Sequence, residues 1–340
     1  MRKTVVILIP VYNSERTLKV CVDSLLAQDY PHIKEIIFMD NLSTDATPSI
    51  LKSYGKKITV KRLSGLVPEM YNKIIPGIDS DCIAFTDGDV IADRSWISNL
   101  VKGFNMPEIK ATAGYCGTVE SSNVLQQAIG EELEDRFRHF STFIGRAPTM
   151  NLCVDTEVMK RLMYDSTLRV AYDTDFGMRL NEAGFLMRYV PDAVIYHDHR
   201  ASWKAYYRQQ NTYAKYAPLV YMKHFGQTAG DSISMSTMMF QPMAYGLCVF
   251  FLLLSLFHWV FLLPIIMFGG IIGLTYYHDY KRLDSKIPGS VFYRMFLTRA
   301  VAWTFGLPIG TYILWKNKNM LSLNRLKRGE KKNGKGTNKA

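Results

Sequence analysis

Short apolar runs alternate with helix-like segments over the first third of the chain. The runs are typical of strands that are buried on both faces, and they cover residues 5–9, 35–39, 58–60 and 82–85. A helix is predicted from about Glu15, with Ser14 as its cap. Its apolar face consists of Leu18, Val22 and Leu25. Repeated β-α-β units of this kind predict an α/β fold, with a mostly parallel sheet and helices on both faces.

Long apolar segments dominate the C-terminal third. Residues 240–277 contain no Lys, Arg, Asp or Glu. One helix of that length would rise about 57 Å, nearly twice a hydrocarbon core of ~30 Å. Two membrane spans joined by a turn near His258 fit better, at about 240–257 and 259–277. A third apolar segment, residues 291–315, is interrupted by two arginines and either spans the membrane or lies at its interface.

These patterns divide the chain into three predicted parts. They are a globular domain over residues 1–230, a membrane domain over residues 231–315 and a basic tail over residues 316–340. The positive-inside rule places the basic tail, and with it the globular domain, on the cytoplasmic side of a multi-pass cell-membrane protein. The apolar run at 5–10 is too short for a signal peptide and is interpreted as the first strand.

The net charge of +11 is concentrated in the tail. From residue 316 onward nine Lys or Arg residues accompany a single Glu, a balance of +8 that leaves +3 for the rest of the chain. The body therefore has no surface typical of nucleic-acid binding, and no nucleic-acid partner is expected. The tail suits anionic lipid headgroups, or is a solvated end. Five scattered cysteines favour reduced thiols in a cytosolic domain.

Two carboxylates, Asp87 and Asp89, follow directly after the predicted strand at 82–85. Side chains two residues apart in an extended segment point to the same side. Two acids that face one point repel each other unless a cation lies between them, and oxygen ligands suit Mg²⁺ or Mn²⁺. Taken alone, a solvated Asp-Gly turn explains the pattern equally well.

Polar residues also follow the first two predicted strands. Pro10, Tyr12 and Asn13 come after the first strand, and Asp40 comes after the second. In open α/β sheets, ligands bind beyond the carboxyl ends of the strands, so we expect these residues and the Asp87 pair to line one crevice. No Gly-x-Gly-x-x-Gly follows the first strand, which argues against a dinucleotide cofactor.

Taken in order, five motifs resemble those of family 2 glycosyltransferases. They are Pro10-Val-Tyr-Asn-Ser-Glu15, Asp40-Asn-Leu-Ser-Thr-Asp45, Asn72, Asp87-Gly-Asp89 and Tyr172-Asp173-Thr-Asp175. The match runs from about residue 4 to residue 200. It implies the GT-A nucleotide-diphospho-sugar transferase fold, and the apolar C-terminal third resembles the membrane-anchored branch of the family.

The resemblance implies a nucleotide-sugar pocket at the first strand ends. Pro10, Tyr12 and Glu15 would line it, Asp40 would accept a hydrogen bond from the base, and Asn72 would lie at its edge. Asp87 would contact the nucleotide sugar through the metal. Two alternatives stay open: Glu15 is also explained as an acid in a helix first turn, and Asn72 as an ordinary residue on a helix surface.

The resemblance also implies a metal and a general base. Asp87 and Asp89 would hold Mg²⁺ or Mn²⁺, and His197 approaches the metal in some relatives, although a lone His is more often structural. Asp173 would take the proton from the acceptor hydroxyl in an inverting displacement. Asp175 is equally well explained as a helix cap.

The sequence departs from the family pattern at two places. Many relatives carry an Arg immediately before the Asn72 position, where it reaches the diphosphate, and here that residue is Tyr71. Either Lys73 replaces it or the metal neutralises the phosphates with less help. Processive synthases carry Gln-x-x-Arg-Trp near residue 210; this chain lacks that Arg and Trp, so processive synthesis is disfavoured.

The resulting prediction is a membrane-bound, metal-dependent glycosyltransferase. Its donor would be a UDP-sugar or, as the second choice, a GDP-sugar, and its acceptor a lipid-linked glycan or a glycolipid. One alternative is transfer directly to polyprenyl phosphate, an anionic acceptor that needs no base. Another is a non-catalytic membrane protein that binds nucleotide sugars.

Overall fold

The computed structural model describes residues 3–120, 122–224 and 236–316. The predicted domain boundary near residue 230 and the tail beyond residue 316 lie outside these ranges. Within them, all four strands predicted from the first third of the chain are present. The strands are β1 Val5–Val11, β2 Ile33–Asp40, β3 Thr59–Arg62, β4 Cys82–Phe85, β5 Val90–Ala92, β6 Ile109–Thr118, β7 Leu152–Asp155 and β8 Leu186–His197.

The eight strands form one sheet in the order β3-β2-β1-β4-β7-β6-β8-β5. Strands β1 to β4 are parallel, as predicted. Strand β7 is antiparallel to both β4 and β6, and β5 is antiparallel to β8, whereas β6 and β8 are parallel. The prediction of a mostly parallel sheet is therefore wrong for the second half, where the sheet is mixed. That half contains no repeated β-α-β pattern, and antiparallel strands do not require one.

The helices are named in chain order. They are α1 Leu18–Leu26, α2 Thr47–Ser53, α3 Val67–Ile74, α4 Trp96–Lys102, α5 Val124–Arg138, α6 Thr156–Leu162, α7 Tyr172–Glu182, α8 Trp203–Lys223, α9 Ser236–Ser255, α10 Leu262–Leu283 and α11 Gly289–Lys316. The apolar face predicted for α1 is buried in the core, including Leu18, Val22 and Leu25.

Helix α1 begins at Leu18 rather than near Glu15, and its N-cap is Thr17 rather than Ser14. The preceding loop is held to the start of α2 instead, because the Ser14 N–H donates to Thr47 Oγ1 at 2.8 Å. Asn13 has a left-handed backbone with φ of 49° and donates from its N–H to Ser43 Oγ. The loops after β1 and β2 therefore form one unit at the end of the sheet.

One helix of the described chain is long and apolar enough to cross a membrane, and it runs over Trp259–Leu283. The predicted first span corresponds to a shorter apolar helix, Gln241–Ser255. The turn expected near His258 is present between these helices. The prediction of two or three membrane spans is therefore not confirmed.

Helix α11, the predicted third apolar segment, crosses α8 at very close range. A Cβ atom added to Gly306 would lie 2.5 Å from the Ala214 Cβ, and one added to Gly310 would lie 2.3 Å from the Lys215 carbonyl oxygen. The spacing of these two glycines is the one that lets helices approach closely in membranes. Here both glycines face α8 of the same chain.

Candidate functional site

Three acceptor groups gather where β4 and β8 end and β5 begins. One ligand atom from each of Asp87, Asp89 and His197 lies within 4.8 Å of the other two. The carboxylates follow β4 directly, as the sequence predicted. His197 is the last residue of β8 and pairs with Val90 of β5, so the β5–β8 pairing places its ring beside Asp89.

The pKa shifts of these three residues indicate that the cluster lacks positive charge. Burial, followed by the neighbouring negative charge of Asp89, raises the pKa of Asp87 to about 7. Burial also disfavours ionisation of Asp89, but the adjacent His197 outweighs it and the pKa of Asp89 is lowered. For His197, burial lowers the pKa, but the interaction with Asp89 outweighs burial. The pKa of His197 is therefore raised overall.

The cluster fits a divalent metal ion. His197 Nε2 lies 3.2 Å from Asp89 Oδ1 as an ion-pair contact, and this buried oxygen has no hydrogen-bond partner in the described chain. Two carboxylates and one imidazole offer a set of oxygen and nitrogen donors, which suits Mn²⁺ and is compatible with Mg²⁺. An unpartnered buried carboxylate oxygen is costly unless a cation or water contacts it.

The segment after β8 is fastened over the cluster. The Asp198 N–H donates to the Asp89 carbonyl at 3.0 Å, and its carboxylate pairs with Arg16 from the loop after β1. Gln126 of α5 donates to Asp198 Oδ1 at 2.5 Å. The family resemblance placed His197 near the metal, but the contacts of Asp198 with Asp89, Arg16 and Gln126 were not predicted.

Asp173 lies in the first turn of α7, behind a left-handed N-cap at Ala171 with φ of 58°. Its Oδ1 accepts from the Thr174 N–H at 2.7 Å, and Arg146 Nη1 donates to the Thr174 hydroxyl at 2.8 Å. Burial raises the pKa of Asp173 and the charge of Arg146 opposes that rise, with a net upward shift. The negative charge of Asp173 in turn contributes to the raised pKa of Asp87, so the two carboxylates are electrostatically coupled.

The residues predicted to line a nucleotide pocket lie within or after β1 and at the end of β2, and their contact with a nucleotide stays a prediction. Pro10 lies within β1, and the Tyr12 ring beyond it is 60% exposed. Asp40 is buried at the end of β2, where its Oδ1 accepts from the Ser43 N–H at 2.9 Å. Glu15 Oε2 accepts from the Ala46 N–H at 2.9 Å, so this carboxylate joins the two loops.

Asn72 of α3 is not the free helix-surface residue that the sequence left open. Its amide donates to the Tyr164 carbonyl at 2.8 Å, and its Oδ1 accepts from the Tyr164 N–H at 3.1 Å. The side chain therefore fixes the backbone ahead of α7. Its contact with a nucleotide sugar stays a prediction.

Lys73, the residue that the sequence offered in place of the missing phosphate-binding Arg, contacts the backbone of Ser64 instead. Tyr71 is fully buried, with its ring 5.0 Å from Phe85, and the Lys73 ammonium donates to the Ser64 carbonyl at 3.0 Å. Arg200 was not predicted as a site residue. It is exposed after β8, and its charge lowers the pKa of both Asp87 and Asp89. A basic residue three positions after His197 was the signal that could have indicated it.

Asp175 is neither a cap nor part of the metal cluster. It is fully buried, with its carboxylate 2.7 Å from Arg179 Nε and 3.1 Å from His224 Nε2. His224 follows α8, so this acid links α7 to the end of α8. The carboxylate of Asp175 is therefore part of a structural ion-pair network and is neither a helix cap nor a member of the metal cluster.

Two family models match this chain. The model described as Glycosyl transferase family 2 matches residues 6–162. The model described as Glycosyl transferase family group 2 matches residues 87–306, well over half of the chain. The chain belongs to glycosyl transferase family 2. The resemblance carried by the motifs is thereby confirmed, and the matched ranges together include every predicted site residue.

Curated relatives include the Pre-mycofactocin glycosyltransferase of Mycobacterium tuberculosis, 27% identical over 168 residues, which are 47% of this chain and 36% of the relative. The Probable glycosyltransferase YdaM of Bacillus subtilis is 22% identical over 240 residues, 65% of this chain and 57% of the relative. The chain thus spans less than two thirds of either relative. A third relative, from Methanococcus voltae, is the Dolichyl N-acetyl-alpha-D-glucosaminyl phosphate 3-beta-D-2,3-diacetamido-2,3-dideoxy-beta-D-glucuronosyltransferase. It is 20% identical over 238 residues, 64% of this chain and 74% of the relative.

Among solved structures, the fold is similar to that of the mannosyltransferase PcManGT from Pyrobaculum calidifontis in complex with GDP-Man and Mn²⁺. The TM-score is 0.53 at 14% identity, and the match covers 93% of this chain and 87% of that one. Likeness at this identity shows the fold alone. The expected GT-A-like α/β fold is confirmed, with a mixed sheet.

Proposed function

We propose that this chain is a metal-dependent, inverting glycosyltransferase that moves a sugar from a nucleotide-diphosphate sugar to an acceptor hydroxyl. The observation that carries the proposal is the cluster of Asp87, Asp89 and His197, in which one ligand atom of each residue lies within 4.8 Å of the other two. Asp173 is the candidate base, and its negative charge contributes to the raised pKa of Asp87. Sugar transfer needs a cation site and a base, because the leaving diphosphate gains negative charge while the acceptor loses a proton.

Asp87, Asp89 and His197 would hold the metal ion. A bound divalent ion supplies Lewis-acid stabilisation of the charge that develops on the leaving group. The mannosyltransferase with the similar fold was solved with Mn²⁺, and the imidazole in the donor set favours Mn²⁺ over Mg²⁺ here as well.

Asp173 would act as the general base. Its carboxylate is held by the Thr174 N–H, and its raised pKa makes it a stronger proton acceptor than a solvated Asp. Such assistance is typically worth ~10²–10⁴-fold in rate. The charge of Arg146 opposes this rise in the pKa of Asp173 and so favours the ionised carboxylate.

The nucleoside would bind over the loops after β1 and β2, which Glu15 and Asn13 join. Exposed Tyr12 would stack on a base, and the Asp40 carboxylate would accept a hydrogen bond from a uracil or guanine N–H. We favour a UDP-sugar as the donor. A GDP-sugar is the alternative, supported by the GDP-Man in the mannosyltransferase of similar fold.

We further propose that the apolar hairpin of α9 and α10 anchors the enzyme in a membrane. The side chains around its turn are exposed and apolar, namely Leu256, Phe257, Trp259, Leu263 and Ile266. Residues 259–276 rise about 26 Å, close to a hydrocarbon core of ~30 Å. At the base of the hairpin, Gln241 donates to Asp279, and Arg282 pairs with Asp135 of α5 at 2.9 Å.

On this proposal α11 lies at the interface, because one face packs on α8 while Phe305, Tyr312 and Trp315 are exposed on the other. Tyr and Trp are enriched at that depth of a bilayer. The globular domain would be cytoplasmic. The acceptor would be a lipid-linked glycan or glycolipid, and the Methanococcus voltae relative, whose name specifies a dolichyl-linked acceptor, supports this class.

A donor panel tests the activity. Calorimetry with UDP- and GDP-sugars should detect Mn²⁺-dependent binding, and Asp89→Asn should weaken it at least tenfold. Asp79→Asn is the matched control, since that carboxylate is fully exposed and pairs with Lys34 at the surface. Absence of metal-dependent binding across the panel would overturn the proposal, and turnover would exclude a non-catalytic binding protein.

Asp173→Asn distinguishes the two acceptor classes. A hydroxyl acceptor predicts a ~10²–10⁴-fold loss of kcat with donor binding retained. A polyprenyl-phosphate acceptor, which needs no base, predicts only a modest change.

Labelling tests the anchor. In sealed vesicles, a membrane-impermeant maleimide should reach Phe257→Cys only from the side opposite the globular domain. Met106→Cys, at an exposed site on that domain, should be labelled from the other side. Labelling of both cysteines from one side would contradict a spanning hairpin.

A further inference from the structure

His199 lies directly beside the candidate metal ligand His197. Their Nδ1 atoms are 3.1 Å apart, and the ring centroids are 4.8 Å apart at an angle of 58°. His199 is 7% exposed, and its Nε2 has no hydrogen-bond partner in the described chain. Among the residues that the structure describes, the His199 ring therefore makes its polar contact with His197.

The facing Nδ1 atoms restrict where the protons lie. A neutral imidazole carries a hydrogen on one nitrogen and a lone pair on the other. Two N–H groups facing each other at 3.1 Å would repel, so one Nδ1 donates and the other accepts. When His197 donates through Nδ1, its Nε2 presents a lone pair toward Asp89. When His197 accepts, its Nε2 carries the hydrogen and cannot bind a metal ion.

The backbone around His199 holds this arrangement in place. Gln126 Nε2 donates to the His199 carbonyl at 2.9 Å, and the adjacent Asp198 N–H donates to the Asp89 carbonyl at 3.0 Å. Gln126 is itself buried on α5. The His199 ring is thus fixed against His197 by contacts that do not involve the metal ligands' side chains.

We propose that His199 is a positioning residue for the divalent ion: its Nδ1 accepts a hydrogen bond from His197 Nδ1 and so keeps His197 Nε2 available to the metal. This inference depends on the metal site of the proposed function. Outer partners of metal-binding histidines orient the ring and fix its tautomer, and their loss typically weakens metal binding 10–100-fold. Here the accepting partner is itself a histidine, two residues after His197 in the chain. No second helix or strand is needed to supply it.

Three substitutions separate hydrogen bonding from packing. In His199→Asn, the side-chain oxygen takes about the place of Nδ1 and accepts the same bond. In His199→Gln, the amide extends to the place of Nε2 instead. In His199→Phe, the ring volume is kept and the acceptor is lost. The readout is Mn²⁺ binding to the full-length, donor-free protein, measured by electron paramagnetic resonance, with thermal unfolding recorded for each variant.

We expect Mn²⁺ binding to weaken 10–100-fold in His199→Phe and His199→Gln and to change less than threefold in His199→Asn. If His199→Phe does not fold, the difference between the Asn and Gln variants decides the question alone. Equal losses in all three variants would overturn the proposal in favour of a packing role, and so would unchanged binding in His199→Phe.

His197→Ala separates this inference from the proposed function. If His197→Ala weakens Mn²⁺ binding while the His199 variants do not, only the positioning role fails. If His197→Ala binds Mn²⁺ like the unsubstituted protein, the assignment of His197 to the metal fails first.

Discussion

Arg299 of α11 and Glu132 of α5 form a buried ion pair, with Arg299 Nη1 2.6 Å from one carboxylate oxygen and 2.9 Å from the other. Arg136 also pairs with this carboxylate at 3.1 Å. In the sequence, Arg299 is a break in an apolar segment. In the structure, it is the residue that fastens that segment to the globular domain, which favours an interfacial α11 over a third span.

Removing one partner of this pair should destabilise the protein strongly. Breaking a buried pair costs about 3–5 kcal/mol where the remaining charge is left uncompensated. Because Arg136 still pairs with Glu132, we expect Arg299→Met to lower the free energy of unfolding by up to about 3 kcal/mol, measured by denaturant unfolding in detergent. Lys160→Met, which breaks the exposed Lys160–Glu157 pair, is the control and should cost less than ~1 kcal/mol. Similar effects of the two variants would contradict the buried role.

Two glycine-to-alanine substitutions are expected to change the stability of the protein in opposite directions. At Gly310 an added methyl group meets the Lys215 carbonyl at 2.3 Å, so Gly310→Ala should push α11 off α8 and cost about 1–3 kcal/mol. At Gly273 of α10 an added Cβ meets nothing within 4 Å, so Gly273→Ala should be neutral or stabilising by up to ~1 kcal/mol. Thermal unfolding in one detergent compares both. A harmless Gly310→Ala would show that the helices do not cross at this distance.

Sequence patterns predicted the first half of the site because each residue there follows a doubly buried strand. Asp40, Asp87 and Asp89 follow continuous apolar runs, so the ends of their strands can be predicted from the sequence. His197 was placed only by resemblance, because its position depends on the antiparallel pairing of β5 with β8. Strand β8 alternates between buried and partly exposed residues, a weaker signal than a continuous apolar run.

Contacts between distant segments escaped prediction for a related reason. The Arg299–Glu132 pair joins residues 167 positions apart. Asn72 and the backbone of Tyr164 are 92 positions apart. Local periodicity contains no information about such pairs. Asp175 shows the same limit, because its position at the start of α7 is typical of a cap while its burial comes from the end of α8.

The raised pKa of Asp173 predicts the acid limb of the activity profile. The base must be ionised, so kcat/KM should fall as the pH drops through a pKa above that of an ordinary Asp. Arg146 opposes the rise, so Arg146→Met should move this limb to higher pH. The measurement is kcat/KM against pH at saturating Mn²⁺. Arg138→Met, which removes an exposed arginine paired with Glu134, is the control. A limb that stays in place or moves to lower pH in Arg146→Met would argue against Asp173 as the base.

The Asp175–His224 pair should make stability depend on pH in two directions. Its hydrogen bond to Asp175 raises the pKa of His224, so this contribution is complete below the unfolded pKa of ~6.5 and is lost as the pH rises through the folded value. Burial opposes ionisation of Asp175, but its hydrogen bond with His224 and nearby cations lower its pKa overall. That contribution is present above ~3.9 and is lost on acidification.

The pair therefore predicts greatest stability between about pH 4 and pH 6.5. Denaturant midpoints measured across pH 3–9 in one buffer series test this. His224→Gln should flatten the alkaline side of the curve and also reduce the loss on acidification, because His224 is the largest of the groups that lower the pKa of Asp175. A curve for His224→Gln parallel to that of the unsubstituted protein would remove His224 as the cause.

Arg200 should contribute to donor binding in place of the Arg that relatives carry before Asn72. It is exposed at the metal cluster, and its charge already acts on both Asp87 and Asp89. Hydrogen bonds to charged groups contribute about 1.5–3 kcal/mol, so Arg200→Ala should weaken binding of the nucleoside diphosphate about 10–100-fold. Arg200→Lys should recover only part, since an ammonium cannot bind phosphate oxygens in the bidentate manner of a guanidinium.

Calorimetry with the nucleoside diphosphate, with and without its terminal phosphate, measures the effect directly. The loss in Arg200→Ala should be smaller for the monophosphate, because the lost contact is to the outer phosphate. Arg94→Ala, at an exposed site on the loop after β5, should bind both nucleotides normally. Equal losses for the two nucleotides would mean that Arg200 acts on the cluster's overall charge rather than on the diphosphate, and the phosphates would then be neutralised mainly by the metal ion.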